Sequence, residues 1–472
     1  MKKISEICKR INVEYKNVPD NLEIEGVAIN SKKVNKNYAF FVTRGNEKYI
    51  GEALNNGAVV IFTERDIANC PIIIVKDVRK SMSYVVSDFY DNPENKLQII
   101  GVVGTNGKTT VTHILSAIFE NVSKTTVIGT LGAYVDKEFF STELTSPDTV
   151  DFFNLLYKSV EKKVKYVFCE VSAHAIYFEK FYGIKFNVCI FTNLSHDHLD
   201  FFENMENYRR TKIDFFNENN VKIGVVNVDD NAGVEIINNG LICSVSYGIE
   251  APSDVFAINI NTQNGVNFIA NAFDDVIYVS SNLYGDFNVY NLLASITVAK
   301  LYGIKSSTIA RAINNLKPIE GRFNVINRYP LVIVDYAHTP DGIEKAILCA
   351  KQMCLGKVVA VFGCGGNRDR EKRAVMAKIG CAIADVCVFT EDNSRYEEIE
   401  DIISDMLKGV EDKDNYIVIK DRRDAVEFAI RAVENKDCVI ICGKGGENYI
   451  EKGGKKIPYS DNSVCNMVFG RR

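Results

Sequence analysis

Short apolar runs, each closed by a polar turn, recur along the whole chain and set the elements that it predicts. Near the N-terminus Tyr38–Val42, Ala58–Phe62 and Pro71–Val75 read as strands, with a helix over Tyr49–Asn56. The polar, proline-containing stretch Asn92-Pro93-Glu94-Asn95 marks a boundary. A second block opens with the strand Leu97–Val103 and continues through strands near Tyr166–Cys169, Val188–Phe191 and Ile223–Asn227, with helical patterns between them. The pattern resets around Glu320-Gly321-Arg322. Beyond it the strands Leu331–Val334, Lys357–Phe362, Val386–Thr390, Tyr416–Ile419 and Cys438–Cys442 alternate with helices over Asp341–Lys351, Arg373–Ile383, Glu397–Leu407 and Asp424–Glu434. Repeated βα units of this kind build parallel sheets. The expectation is an α/β chain of three domains, 1–95, 96–322 and 323–472. The central one carries a P-loop mononucleotide-binding sheet and the last is Rossmann-like.

Composition narrows the class. Of 472 residues, 46% are hydrophobic and 25% charged, which excludes a disordered or collagen-like chain. Lys and Arg number 56 against 61 Asp and Glu, so the basic excess of a nucleic-acid binder is missing. Thirteen cysteines without a CxxC pair read as reduced thiols rather than a disulfide framework. The first ten residues carry charges where a signal peptide needs an apolar core, and no apolar run approaches the length of a membrane span. A cytoplasmic protein is expected, with neither nucleic acid nor membrane as partner.

The chemistry starts at Gly104-Thr105-Asn106-Gly107-Lys108-Thr109-Thr110, between an apolar strand and a helical pattern. Small residues there let backbone N–H groups wrap a phosphate at a helix N-terminus. Lys108 would neutralise the β- and γ-phosphates and the Thr109 hydroxyl would reach Mg²⁺. An ordinary βα turn would not need that lysine and threonine. Downstream, Glu170 and Asn193 end apolar strands, and strand C-termini of α/β sheets face the ligand crevice. Glu170 is therefore a natural oxygen ligand for Mg²⁺ beside the γ-phosphate. From the residues alone, His198 reads more readily as a hydrogen-bonded structural histidine, and Lys212 as a solvated helix lysine.

Glu170-Val-Ser-Ala-His174, Thr192-Asn-Leu-Ser-His-Asp-His-Leu-Asp200, Asp335-Tyr-Ala-His-Thr-Pro340 and Gly363-Cys-Gly-Gly-Asn-Arg-Asp369, taken with the phosphate loop, resemble the Mur ligases. Motifs occur in order from about Gly26 to Asp461, and four of the five histidines fall inside them. The resemblance implies a UDP-binding domain (1–95), an ATPase domain (96–322) and a domain binding the incoming amino acid (323–472). It implies an amide ligase in which the γ-carboxylate of UDP-MurNAc-L-Ala-D-Glu attacks the ATP γ-phosphate, and an amine then displaces phosphate from the acyl phosphate. By the same resemblance Lys108, Glu170, His198, Lys212 and Arg322 are catalytic, with Thr109, Glu170, His198 and a carbamylated Lys212 around Mg²⁺. Asn288 and Asn291 would contact adenine, and Asp335 and His338 would reach the nucleotide or serve as hinge and capping residues. Ser31, Thr145, Ser146, Ser172 and Lys180 would bind the UDP-sugar dipeptide. A monomer is expected.

The amino acid is chosen, in this resemblance, by Asp392-Asn393-Ser394-Arg395 together with Arg368, Gly443 and Glu447. Diaminopimelate ligases carry Asp-Asn-Pro-Arg, and lysine-adding relatives lack the arginine. The distal carboxylate of meso-diaminopimelate suits a guanidinium fork, which L-lysine would leave unpaired. Ser394 in place of proline and Gly446 in place of histidine depart from the pattern. A lysine-adding ligase is the alternative, and a non-catalytic P-loop switch a more remote one. For Arg395 the other reading is a salt bridge to Glu397 or Glu398.

Overall fold

A computed structural model describes residues 2–470 except 12, 14, 17, 68, 411 and 413. The fold is α/β, and its larger sheets number five, eleven and six strands among the described residues. The expected strands and helices form within a few residues of their predicted ends, for example Ala58–Thr63, Gln98–Val103, Tyr166–Val171 and Cys438–Cys442.

The phosphate-loop strand Gln98–Val103 lies at the centre of the eleven-stranded sheet, between the parallel strands Tyr166–Val171 and Phe186–Phe191. Alternation along it sends Ile99 and Val103 into one apolar cluster and Ile100 and Val102 into another, so both faces are covered. Register places Glu170 beside Val102 and Phe191 beside Val103. Three strand C-termini thus open at one place, and the loops that follow them carry the polar motifs.

The sequence pattern had not signalled the antiparallel meander Val255–Asn261, Val266–Ala272 and Asp275–Ser281 that extends the central sheet. Its middle strand alternates buried and half-buried residues, a period-two signal. The N-terminal sheet joins the central one through a shared apolar cluster, with Arg79–Asp148 at 2.7 Å and Lys33–Asp151 at 2.9 Å at its rim.

In the six-stranded sheet, five strands from Leu331–Asp335 to Tyr416–Val418 run parallel, and Asn324–Arg328 pairs antiparallel at the edge. A fully buried ion pair fastens the loops at its C-terminal end. Arg422 donates to Asp461 at 2.8 and 2.9 Å, to the Glu391 carbonyl at 3.2 Å and to the Cys442 carbonyl at 2.9 Å. Removing one member of such a pair leaves a buried charge uncompensated. Arg422→Met is expected to cost about 3–5 kcal/mol of stability. A urea midpoint equal to the wild type's would contradict this role.

Candidate active site

Gly107 takes a left-handed conformation (φ 86°) at the cap of helix Lys108–Phe119, and a Cβ there would meet Asn291 Oδ1 at 2.5 Å. The turn therefore needs glycine on two counts. Lys108 curls back over the loop, donating to the carbonyls of Gly104 (2.9 Å) and Thr105 (2.8 Å), and burial lowers its pKa. The Asn106 N–H donates to Asn193 Oδ1 at 2.9 Å, which ties the loop to the neighbouring strand end. Thr110 is buried in the same helix.

Thr109 joins three parts of the chain. Its hydroxyl donates to Glu170 Oε1 at 2.9 Å and accepts from Arg322 Nη2 at 2.8 Å. Glu170 also accepts from the Thr130 N–H (2.8 Å) and hydroxyl (3.2 Å). Arg322 stacks on the Tyr336 ring at 4.2 Å. It follows Gly321, whose φ of 64° and close approach to the Gly445–Gly446 backbone admit no side chain. Ser146 donates to the Glu170 carbonyl at 2.8 Å and lies 3.1 Å from Ser172 Oγ, while Thr145 meets Thr130 at 3.1 Å. Lys180 donates to the Ser146 carbonyl at 3.2 Å and its pKa is lowered by burial. The expected sugar–dipeptide residues of the central sheet thus adjoin Glu170. Ser31 stands apart on the N-terminal sheet, where its hydroxyl donates to Glu52 at 2.6 Å.

Lys212 is no solvated helix lysine: it is 1% exposed. Its Nζ donates to Thr105 Oγ1 at 2.9 Å and lies 4.1 Å from the Tyr208 ring centre. Burial first, and the Lys108 charge second, hold its pKa well below the ordinary lysine value. His198 has a left-handed backbone (φ 57°), and burial pushes its pKa down to about 3, leaving a neutral imidazole.

Asp197, between the two histidines of the motif, had been given no role from the sequence. Its buried carboxylate lies 3.2 Å from His198, 3.7 Å from His338 and 3.3 Å from Lys372. Burial alone would raise its pKa, yet His338 and the Lys372 charge hold it well below the usual range. His338 and Lys372 come from the loops and helices that follow strands of the six-stranded sheet, as do Asp369, 2.7 Å from His196, and Asp341, 3.0 Å from Asn106. The C-terminal sheet is thus docked on the phosphate loop and the histidine loop by polar pairs. Asp335 turns to the backbone, accepting from the N–H groups of Phe323 (2.6 Å) and Ala337 (2.8 Å), and burial raises its pKa.

Asn288 donates to the Tyr284 carbonyl at 2.7 Å and accepts from Asn291 at 2.8 Å. Tyr284 borders a cavity of about 590 Å³ whose other walls include Ile319, Arg322, Phe323, Arg328 and Tyr329.

At the C-terminal end of the six-stranded sheet a second group assembles. A Cβ at Gly365 would lie 3.0 Å from Arg395 Nη1 and 3.7 Å from Arg368 Cγ, so the two arginines meet over this glycine. Arg395 donates to the Gly366 carbonyl at 2.7 Å and lies 3.4 Å from Glu451. Of the alternative partners named for Arg395, Glu397 is held instead by Arg373 and Arg370. Arg368 lies 3.7 Å from Asp200 of the histidine loop. Asn393 Nδ2 donates to Glu447 Oε2 at 3.0 Å, and a Cβ on Gly443 would meet Asp392 Oδ2 at 2.5 Å. Backbone bonds from Gly366 to Asn393 (2.9 Å), Arg395 to Glu451 (2.9 Å) and Glu397 to Ser394 (3.0 Å) hold the loop where the family pattern has proline.

Two family models match the chain: the Mur ligase middle domain over residues 102–299, and the Mur ligase glutamate ligase domain over 321–445. A Clostridium botulinum protein named UDP-N-acetylmuramoyl-L-alanyl-D-glutamate–2,6-diaminopimelate ligase is 37% identical over 474 residues, covering 97% of this chain and 98% of its own. A protein of the same name from Aquifex aeolicus is 38% identical, covering 95% and 94%. A solved structure of such a ligase superposes with a TM-score of 0.69 at 27% identity, covering 99% of each chain. With phosphate loop, strand-end glutamate and histidine loop assembled as one site, and with relatives matched from end to end, the chain belongs to the Mur ligase family.

Proposed function

We propose that the chain is an ATP-dependent amide ligase that joins meso-diaminopimelate to UDP-MurNAc-L-Ala-D-Glu. The observation that carries this reading is the meeting of Glu170, Thr109 and Arg322 on the phosphate loop, next to the Thr145–Ser146 segment. Two anions, the D-glutamyl γ-carboxylate and the ATP γ-phosphate, must come into contact there. Lys108 and Arg322 offset their repulsion, and preorganised N–H groups of the loop do so without reorganising. The carboxylate oxygen attacks phosphorus, ADP leaves, and an acyl phosphate remains. The amine of the incoming amino acid then attacks the acyl carbon, losing a proton, and inorganic phosphate departs. Residues 1–95, 96–322 and 323–472 are read as the units that bring UDP, ATP and amino acid to this point. Asn288 and the Tyr284–Phe323 cavity suit the adenine base.

The donor set suits Mg²⁺, which takes few protein oxygens and completes its shell with phosphates and water. Glu170, Thr109 and neutral His198 would hold it, and bound there it would neutralise charge on the phosphates. A buried, unprotonated Lys212 amine is the form that adds carbon dioxide, and the carbamate would supply oxygens where an ammonium would repel the ion. Lys212→Ala is expected to lose most activity, with partial recovery in bicarbonate or a short carboxylic acid. Full activity of that variant in coupled ADP-release assays would refute the role.

Arg395 supports diaminopimelate over lysine: its bonds to Gly366 and Glu451 leave further N–H groups of the guanidinium fork for a distal carboxylate. A charge-assisted bond of ~1.5–3 kcal/mol corresponds to about ten- to hundred-fold in selectivity. Amide formation measured with both amino acids should favour diaminopimelate by that margin, and Arg395→Ala should erase it. Faster turnover of lysine by the wild type would sink this assignment.

A further inference from the structure

Lys444 is a fully buried lysine that the chemistry above leaves unused. It follows strand Cys438–Cys442, and its Nζ donates to Asn393 Oδ1 at 2.8 Å and pairs with Glu447. It also lies 3.9 Å from Asp392 Oδ1 and 5.1 Å from the Tyr449 ring centre. Three of these four partners belong to the candidate amino-acid pocket. An ammonium only donates, so it selects the oxygen end of an amide. Asn393 Oδ1 accepts a second bond, from the Glu451 N–H at 2.8 Å. The amide NH₂ is thereby turned toward Glu447, and reversing the amide would set that NH₂ against two donors. Asp392 shows the same field: burial would raise its pKa, yet Lys444 and then Arg422 hold it below the carboxylate norm.

We propose that Lys444 is a positioning residue of the amino-acid pocket: it fixes the Asn393 NH₂ for a substrate carboxylate and balances Glu447, which receives the substrate ammonium. The distal end of diaminopimelate carries one carboxylate and one ammonium. Arg395 and Asn393 Nδ2 offer donors beside the Glu447 acceptor, a match to that zwitterion. Without Lys444 the amide keeps only the Glu451 N–H and Glu447 to orient it, and Asp392 and Glu447 lose a shared cation, which favours an ammonium alone. The lysine is thus a determinant of selectivity without touching substrate, and this rests on the diaminopimelate reading for the identity of the ligand.

The test uses the full chain as wild type, Lys444→Met, Lys444→Gln, Asn393→Ala and the Lys444→Met/Asn393→Ala double variant. KM is measured separately for amino acid, ATP and UDP-sugar dipeptide. Lys444→Met should raise the amino-acid KM about ten- to hundred-fold, the size of one charge-assisted bond, and leave the other two near wild type. Lys444→Gln keeps a donor for Asn393 Oδ1 and should recover part of the loss. The double variant should lose clearly less than the two single losses combined, because the lysine acts in part through that amide. An unchanged amino-acid KM, three KM values rising together, or additive losses would overturn the proposal. If Lys444→Met does not fold, Lys444→Gln compared with Asn393→Ala carries the same cycle. A wild type that prefers lysine would sink the substrate assignment, and the cycle run with lysine would still decide the role of Lys444.

Discussion

One hydroxyl holds the site together. Thr109 donates to Glu170 and accepts from Arg322, so the phosphate loop, the neighbouring strand and the linker to the C-terminal sheet meet at a single atom. An interaction network of this kind constrains everything around it, because each partner is itself fixed. Thr130 holds Glu170 from the other side, Tyr336 stacks under Arg322, and Gly321 lets the linker approach the Gly445–Gly446 turn. In the proposed ligase this hydroxyl lies where phosphate, metal and substrate carboxylate must coincide.

Charge is handled by placement rather than by bulk. The chain has a net charge of −5, yet its proposed substrates are anions. The cations that matter are buried or partly buried: Lys108 near the phosphate loop, Lys372 on Asp197, Lys444 and Arg395 in the C-terminal pocket. Burial weakens the charge of Lys108 and Lys212, whereas at Asp197 and Asp392 neighbouring cations outweigh it. The same low-dielectric setting that makes an unpaired ion costly makes these few contacts decisive.

The alternation of strands and helices was legible because buried parallel strands are continuous apolar runs, as in Gln98–Val103 and Cys438–Cys442. The meander Val255–Ser281 was not, since its outward positions mix apolar residues such as Ile258, Ile260, Val276 and Tyr278 with asparagines and blur the alternation. The phosphate loop, Glu170 and the histidine loop are contiguous motifs whose chemistry is local. Asp197 lay in plain view between two histidines, but its partners Lys372 and His338 come from another sheet, and no local spacing reports that pairing. Lys444 was hidden for a similar reason: its meaning depends on Asn393, 51 residues away along the chain. The burial of Lys212, too, follows from packing and not from its helix pattern.

If the phosphate loop and the strand-end glutamate serve transfer of a phosphoryl group to a carboxylate, one carboxylate oxygen must leave with phosphorus, and isotope labelling follows it. UDP-MurNAc-L-Ala-D-Glu bearing ¹⁸O in the γ-carboxylate is converted with ATP and diaminopimelate, and the released phosphate is analysed by mass. One ¹⁸O in the phosphate for each amide formed is the predicted result, because the attacking oxygen leaves with phosphorus. Phosphate free of label would contradict the account.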